Sequence, residues 1–160
     1  MIPKAKTIAV VEHQLRGAKA WADRNGVDLE WAREELELRA VLTQPSTGEK
    51  FFLRGKFDDF PALPPKWTFC NSDWEKCGSK QFFPSRDGTP FGGSVMHGQG
   101  LICAHFNRLA FDEHGGPHGN WGGPVQWITQ KDDTVYADTI GDMLSVIQRD
   151  LKHSEGRMSQ

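Results

Sequence analysis

Phe60-Pro61-Ala62-Leu63-Pro64-Pro65-Lys66-Trp67-Thr68-Phe69 separates two parts of the chain that are patterned differently. Its three prolines carry no backbone N–H and hold the segment extended, and the apolar run Trp67-Thr68-Phe69 reads as a short strand. Upstream, Glu35 to Leu42 alternates charged and apolar side chains. Pro45-Ser46-Thr47-Gly48 then supplies turn chemistry before Phe51, Leu53 and Phe57 resume a strand-like pattern. Period two on both sides of a turn predicts an antiparallel hairpin with one wet face, and the strand after the prolines extends it into a three- or four-stranded meander, with four strands expected. Further upstream, Ile8, Val11, Leu15, Ala18 and Trp21 recur at steps of three and four, which predicts a helix from Ile8 to Asp23 that stops near Asn25-Gly26.

Downstream the periodicity disappears. From Asn71 to Gly100 the chain is rich in Gly, Ser, Pro and Asp, a long irregular connection of a kind that is uncommon unless functional. It ends in the apolar step Leu101-Ile102-Cys103-Ala104. A second irregular stretch, Asp112 to Pro124, holds five glycines, two histidines, two prolines and Trp121, and reads as a surface loop with special backbone geometry. Asp138-Thr139 can then cap a helix whose buried stripe is Ile140, Met143, Leu144, Ile147 and Leu151. Helix, meander, loops around one cysteine, and helix make an α+β order in one domain, residues 1–160, with a core from about 8 to 151 and a polar tail from 152.

Composition narrows the function classes. The 160 residues are 38% hydrophobic and 25% charged, with 19 basic against 21 acidic side chains and no long run of like charge. That balance argues against a general nucleic-acid or membrane-surface binder. No stretch approaches the roughly 20 apolar residues that span a bilayer, and Glu12 and His13 interrupt the first apolar run, so a cytoplasmic protein is expected. Cys70, Cys77 and Cys103 are spaced like no disulfide framework, and three thiols are expected in a reducing compartment.

Cys103 is the residue around which chemistry gathers. Gly98 and Gly100 precede it, His105 follows two residues later, and His97, His114 and His118 lie within fifteen residues. Glycine allows another backbone to approach a thiol, and histidine moves protons near pH 7. Candidate donors to an oxyanion are His97, Gln99, Asn107, His118 and Asn120, with His118 and Asn120 favoured because Gly116-Pro117-His118-Gly119-Asn120-Trp121 is a rigid, glycine-flanked loop able to fold over the thiol. Asp112 or Glu113 could help deprotonate an incoming amine.

The prolines and the cysteine together resemble one family. Phe60-Pro61 followed by Pro64-Pro65 is similar to the proline segment that closes the sheet of ubiquitin-conjugating enzymes, and Gly100-Leu101-Ile102-Cys103 is similar to their active-site step. The order of helix, meander, Pro-Pro, cysteine, tryptophan and helix resembles that family over residues 8 to 151. It is closest in character to the divergent bacterial members. The family's His-Pro-Asn tripeptide is absent here; Val95 occupies its asparagine's spacing and His97-Gly98-Gln99 is the nearest remnant. The resemblance implies that Cys103 carries a ubiquitin-like protein as a thioester, with no cofactor and no metal. Its partners would be an activating enzyme, the ubiquitin-like protein and a deconjugating peptidase from the same operon, in a setting of antiviral defence. In the family the first helix helps bind the activating enzyme, which draws attention to Lys4, Lys6, Arg16, Lys19 and Arg24.

Other chemistries fit some of the same residues. Cys70, Cys77, His97, Cys103, His105, His114 and His118 include enough soft ligands for zinc, but only His114 and His118 have a ligand-pair spacing. A ββα-metal nuclease built on Asp112, Glu113, His114 and Asn120 lacks its flanking pattern. A cysteine hydrolase using Cys103 and His118 competes more directly; such enzymes commonly set the cysteine at the start of a long helix, and Ala104 to Phe111 could form one or two turns. A non-catalytic module of the same fold that binds ubiquitin-like proteins is the remaining alternative.

Overall fold

The computed structural model describes residues 1–85, 93–129 and 135–158. Helix α1, Lys4–Asn25, is longer than the expected 8–23 and turns its small and apolar positions Thr7, Ile8, Val11, Leu15, Ala18 and Ala22 inward. It ends where Gly26 takes a left-handed conformation, φ 64°, and Val27 N–H bonds back to the Ala22 carbonyl at 2.9 Å. Four antiparallel strands follow in sequential order: β1 Asp28–Ala32, β2 Glu37–Thr43, β3 Lys50–Lys56 and β4 Lys66–Cys70. The hairpin expected from residues 35–57 is β2–β3, with Ala40 opposite Leu53.

Sheet register sorts the side chains by chemistry. Leu38, Ala40 and Leu42 of β2 and Phe51, Leu53 and Gly55 of β3 face the core, whereas Arg39, Phe52, Arg54 and Lys56 lie on the wetter face. Glu37 on that face is nearly buried and bridges Arg39 at 2.6 Å and Lys56 at 2.9 Å. Gly55 is required by packing, since a Cβ there would lie 2.7 Å from the Trp67 ring. Phe57, Phe60 and Trp67 meet edge to face beside it, and such aromatic pairs add to their burial.

The closing helix α2, Ile140–His153, is capped by Thr139, whose hydroxyl accepts from Asp142 N–H at 3.2 Å. Ile140, Met143, Leu144, Ile147 and Leu151 are fully buried, as the stripe predicted. It lies against α1, with Ile140 N–H donating to Gln14 Oε1 at 2.9 Å and Gly141 beside Ala18. Buried Gln44 joins the far end, donating to the Ser154 carbonyl at 2.8 Å while its oxygen accepts from Ser46 and Thr47 N–H. The molecule is therefore α+β, with helices at both ends of the described chain and a four-stranded antiparallel sheet between them. Among the described residues no helix is long and apolar enough to cross a membrane.

The expectation of three thiols is corrected. Cys70 and Cys77 form a disulfide, because a tight turn, in which Asn71 N–H bonds to the Lys76 carbonyl at 2.8 Å, brings their Cα atoms to 3.9 Å. A gap of seven residues conceals this pairing, because it arises only once the end of β4 doubles back on itself as an antiparallel bridge.

Candidate active site

Past β4 the chain builds its structure from short pieces. A two-residue hairpin, β5 Met96–His97 and β6 Leu101–Ile102, closes through Gly100 at φ 83°, where a Cβ would press on the backbone of Lys80. β6 delivers Cys103 at its end, and Cys103 N–H donates to the Val95 carbonyl at 2.6 Å. The thiol is half-buried.

Two 3₁₀ turns, Arg108–Ala110 and Asp112–His114, then reverse the chain. Gly115 adopts a left-handed conformation, and Gly116 N–H bonds to the Phe111 carbonyl at 2.9 Å. Gly116 passes so close to Ala110 that any Cβ would overlap its carbonyl oxygen, so this position has no room for a side chain. The reversal lays His118 beside Phe111 in a parallel bridge. His118 Nε2 then stands 2.5 Å from Cys103 Sγ. Trp121 stacks flat on the imidazole, with ring centres 3.7 Å apart and planes 8° apart, and Phe111 meets the indole edge-on at 5.0 Å. A thiol and an imidazole in this contact can pass a proton between them, and the indole restricts the imidazole to one plane.

Other candidate residues do different work. His97 sits on β5, and its Nδ1 accepts from Gln99 N–H at 3.2 Å. It lines a cleft of about 410 Å³ together with Gln99, Leu101, His114 and Pro117, next to Cys103 and His118 in the chain. No hydrogen bond joins His97 to Cys103 among the described residues. Asn120 is exposed, two residues beyond His118, and among the described residues it makes no hydrogen bond to Cys103. Asp112 and Glu113 are exposed. Asn107, an oxyanion candidate by sequence, is fully buried and bonded to backbone groups.

His105 and Arg108 hold the surroundings. Ala137 N–H donates to His105 Nε2 at 3.1 Å, which places the ring proton on Nδ1, facing the Trp127 carbonyl at 2.8 Å. His105 is thereby a neutral bolt between two loops. Buried Arg108 donates to the Pro64 carbonyl at 2.9 Å and to Asp58 Oδ2 at 2.8 Å, and also reaches the Asp58 carbonyl. Burial pushes the Asp58 carboxyl up, but hydrogen bonding and charge from Arg108, with Lys66, outweigh it and hold the group below the usual carboxylate range. His114 is held below the usual imidazole range by partial burial and by the positive charges of Arg108 and Lys66.

No family model, no curated protein and no solved structure matches this chain.

The site therefore rests on its own geometry. It brings one thiol and one imidazole into contact. Cys70 and Cys77 are taken up by their disulfide, and no three His, Cys, Asp or Glu side chains converge as a metal site among the described residues. Sequence reasoning missed the stacking role of Trp121 and the clamp made by Arg108. Trp121 had a signal in its spacing from His118 within a glycine-rich loop, whereas Arg108 had none, because its partners lie some fifty residues away.

Proposed function

We propose that the protein carries a ubiquitin-like protein as a thioester on Cys103 and passes it to an amine, in the manner of a divergent bacterial ubiquitin-conjugating enzyme. The observation that carries this reading is the contact of a half-buried Cys103 Sγ with His118 Nε2, just past the end of a strand. The order of α1, a four-stranded meander with Pro64-Pro65 leading into its last strand, Cys103 and α2 agrees with it.

In the loading step, His118 takes the proton of the Cys103 thiol and the thiolate attacks the thioester carbonyl held by the activating enzyme. A tetrahedral oxyanion forms and collapses, the enzyme's thiolate leaves, and the acyl group rests on Sγ. In the second step a neutral amine attacks the same carbon, the C–N bond forms and the C–S bond breaks. The amine's proton leaves through His118 or water, and the Cys103 thiolate is regenerated. His118 is protonated only during loading, where it faces the oxyanion, and it passes that proton to the departing thiolate, which leaves the imidazole neutral for the second step. His97 lies on the strand that pairs with the one leading to Cys103, and Asn120 follows the imidazole in its loop.

The exposed cations Lys4, Lys6, Arg16, Lys19 and Arg24 on α1 would meet the activating enzyme, and a deconjugating peptidase of the same operon would reverse the product. This reading sets the protein in the cytoplasm, in antiviral defence. The Cys70–Cys77 disulfide is the observation against that compartment, where thiols are kept reduced as a rule. Protein recovered from cells with N-ethylmaleimide present should then carry the label on Cys70 and Cys77 as well as on Cys103.

Cysteine hydrolysis is a second reading, favoured by the same Cys103–His118 contact. Against it, Cys103 follows a strand, and the segment after it forms only the 3₁₀ turn Arg108–Ala110 in place of a long helix. The two separate by intact mass after incubation with a cognate activating enzyme, ubiquitin-like protein and ATP. The carrier reading expects a reductant-sensitive adduct on wild type, none on Cys103→Ala, and a reductant-resistant ester on Cys103→Ser. No adduct in the presence of a verified activating enzyme would remove it in favour of hydrolysis or of a binding module.

A further inference from the structure

Outside the Cys103–His118 pair, Asn107 is a fully buried polar side chain with every hydrogen-bonding position in use. Its Oδ1 accepts from Trp67 N–H at 2.9 Å and from Leu109 N–H at 3.3 Å. Its Nδ2 donates to the Trp67 carbonyl at 3.1 Å and to the Ile102 carbonyl at 2.7 Å. Both N–H groups and both lone-pair positions of the amide are thereby used, and the side chain is fully buried.

Trp67 belongs to β4, the strand at the end of the four-stranded order. An edge strand has backbone groups with no strand partner, and buried ones must be satisfied. The carboxamide of Asn107 meets both the N–H and the C=O of Trp67, as a residue of a neighbouring strand would. The backbone of Arg108 continues the seam, donating to the Pro65 carbonyl at 2.9 Å. The remaining Asn107 donor reaches across to the Ile102 carbonyl, the peptide that leads into Cys103. That peptide plane is thus held at both ends, its oxygen by Asn107 and its N–H by the Val95 carbonyl.

We infer that Asn107 is the positioning residue of the Cys103 site: its side-chain amide acts as a one-residue fifth strand on β4 and, through Ile102, fixes the plane that aims the thiol at His118. The inference rests on the reading of Cys103 as the reactive thiol, but it concerns how that thiol is aimed and needs no partner protein to be tested.

The test is the pH profile of Cys103 alkylation by iodoacetamide, in which the S–C bond forms and iodide leaves, read by mass on the Cys103 peptide so that Cys70 and Cys77 do not contribute in either redox state. Asn107→Asp keeps the volume and the Trp67 acceptor but removes the N–H donors, and Asn107→Ala removes the whole amide. Both are expected to alkylate about tenfold more slowly at neutral pH, with the profile displaced about one unit to alkaline pH. Thr139→Ala lowers stability far from the site and should keep the wild-type profile. Folded Asn107 variants with the wild-type profile overturn the inference. Should neither variant fold, the wild-type protein still decides: the Asn107 side-chain N–H resonances should exchange slowly and shift when Cys103 is alkylated, and rapid exchange overturns it. Normal loading of Cys103 alongside unchanged Asn107 profiles refutes this inference alone, whereas a wild type that never loads refutes the carrier reading alone.

Discussion

The helices and the meander hold together by repetition, whereas the described residues between Asn71 and Ala137 hold together by single appointments. In the first, apolar residues at steps of three, four or two meet across a core, and many interchangeable contacts share the stabilisation. In the second, one buried amide, one neutral histidine and one arginine each satisfy backbone groups that lack a ladder: Asn107 for Trp67 and Ile102, His105 for Trp127 and Ala137, Arg108 for Pro64 and Asp58. Irregular backbone can be buried only if each polar group finds a partner, so the site is built from residues that no periodic pattern announces. The difference implies that damage to the scaffold spreads through the molecule, and damage to the loops stays local and removes chemistry.

The largest effect should come from the scaffold. Phe57 is fully buried between Trp31, Phe60 and Trp67, and Phe57→Ala should cost about 3–5 kcal/mol of stability, lowering the unfolding midpoint by every probe together. A loss confined to the loop signal, with the sheet and helices unaffected, would break the comparison.

Gly116→Ala sharpens it from the other side. The added methyl collides with the Ala110 carbonyl, and overpacking of this kind typically costs about 1–3 kcal/mol. Far-ultraviolet circular dichroism should stay that of the wild type while Cys103 alkylation at neutral pH slows about tenfold or more, since a small misplacement costs that much. Unchanged alkylation would show that the loop reversal does not set the thiol.

The smallest effect is electrostatic and belongs to the sheet. Burial pushes the Glu37 carboxyl up, but hydrogen bonds and charge from Lys56 and Arg39 outweigh it, so its folded pKa lies below the ordinary 4.5. A depressed carboxyl stabilises the fold above its unfolded pKa and loses that contribution as pH falls through the folded value. With its cations about a third exposed, the cluster is worth about 1 kcal/mol at neutral pH. Wild type should exceed Glu37→Gln by that margin in urea unfolding at pH 7, and the margin should shrink as pH falls below the ordinary 4.5. A margin that did not change with acidification would assign the effect to packing.

The same division explains what could be read from the residues alone. Both helices, the β2–β3 hairpin and the strand after Pro65 follow from periodicity, prolines and caps, and the observed bounds differ from the expected ones by only a few residues. Within the site, Cys103 and His118 were legible because glycines flank both, and glycine-rich loops without periodicity mark places where backbone must come close. The Cys70–Cys77 bridge, the stack of Trp121 on His118 and the amide of Asn107 on Trp67 were not legible. Each depends on a turn or an edge whose position exists only after the sheet has formed.

The central claim is that His118 serves Cys103 as its proton partner, and the most direct measurement is the pH dependence of Cys103 alkylation in wild type and His118→Ala. The account predicts that loss of the imidazole slows the reaction about 10- to 100-fold at neutral pH and moves the profile to alkaline pH, with both proteins folded. Superimposable profiles would contradict it.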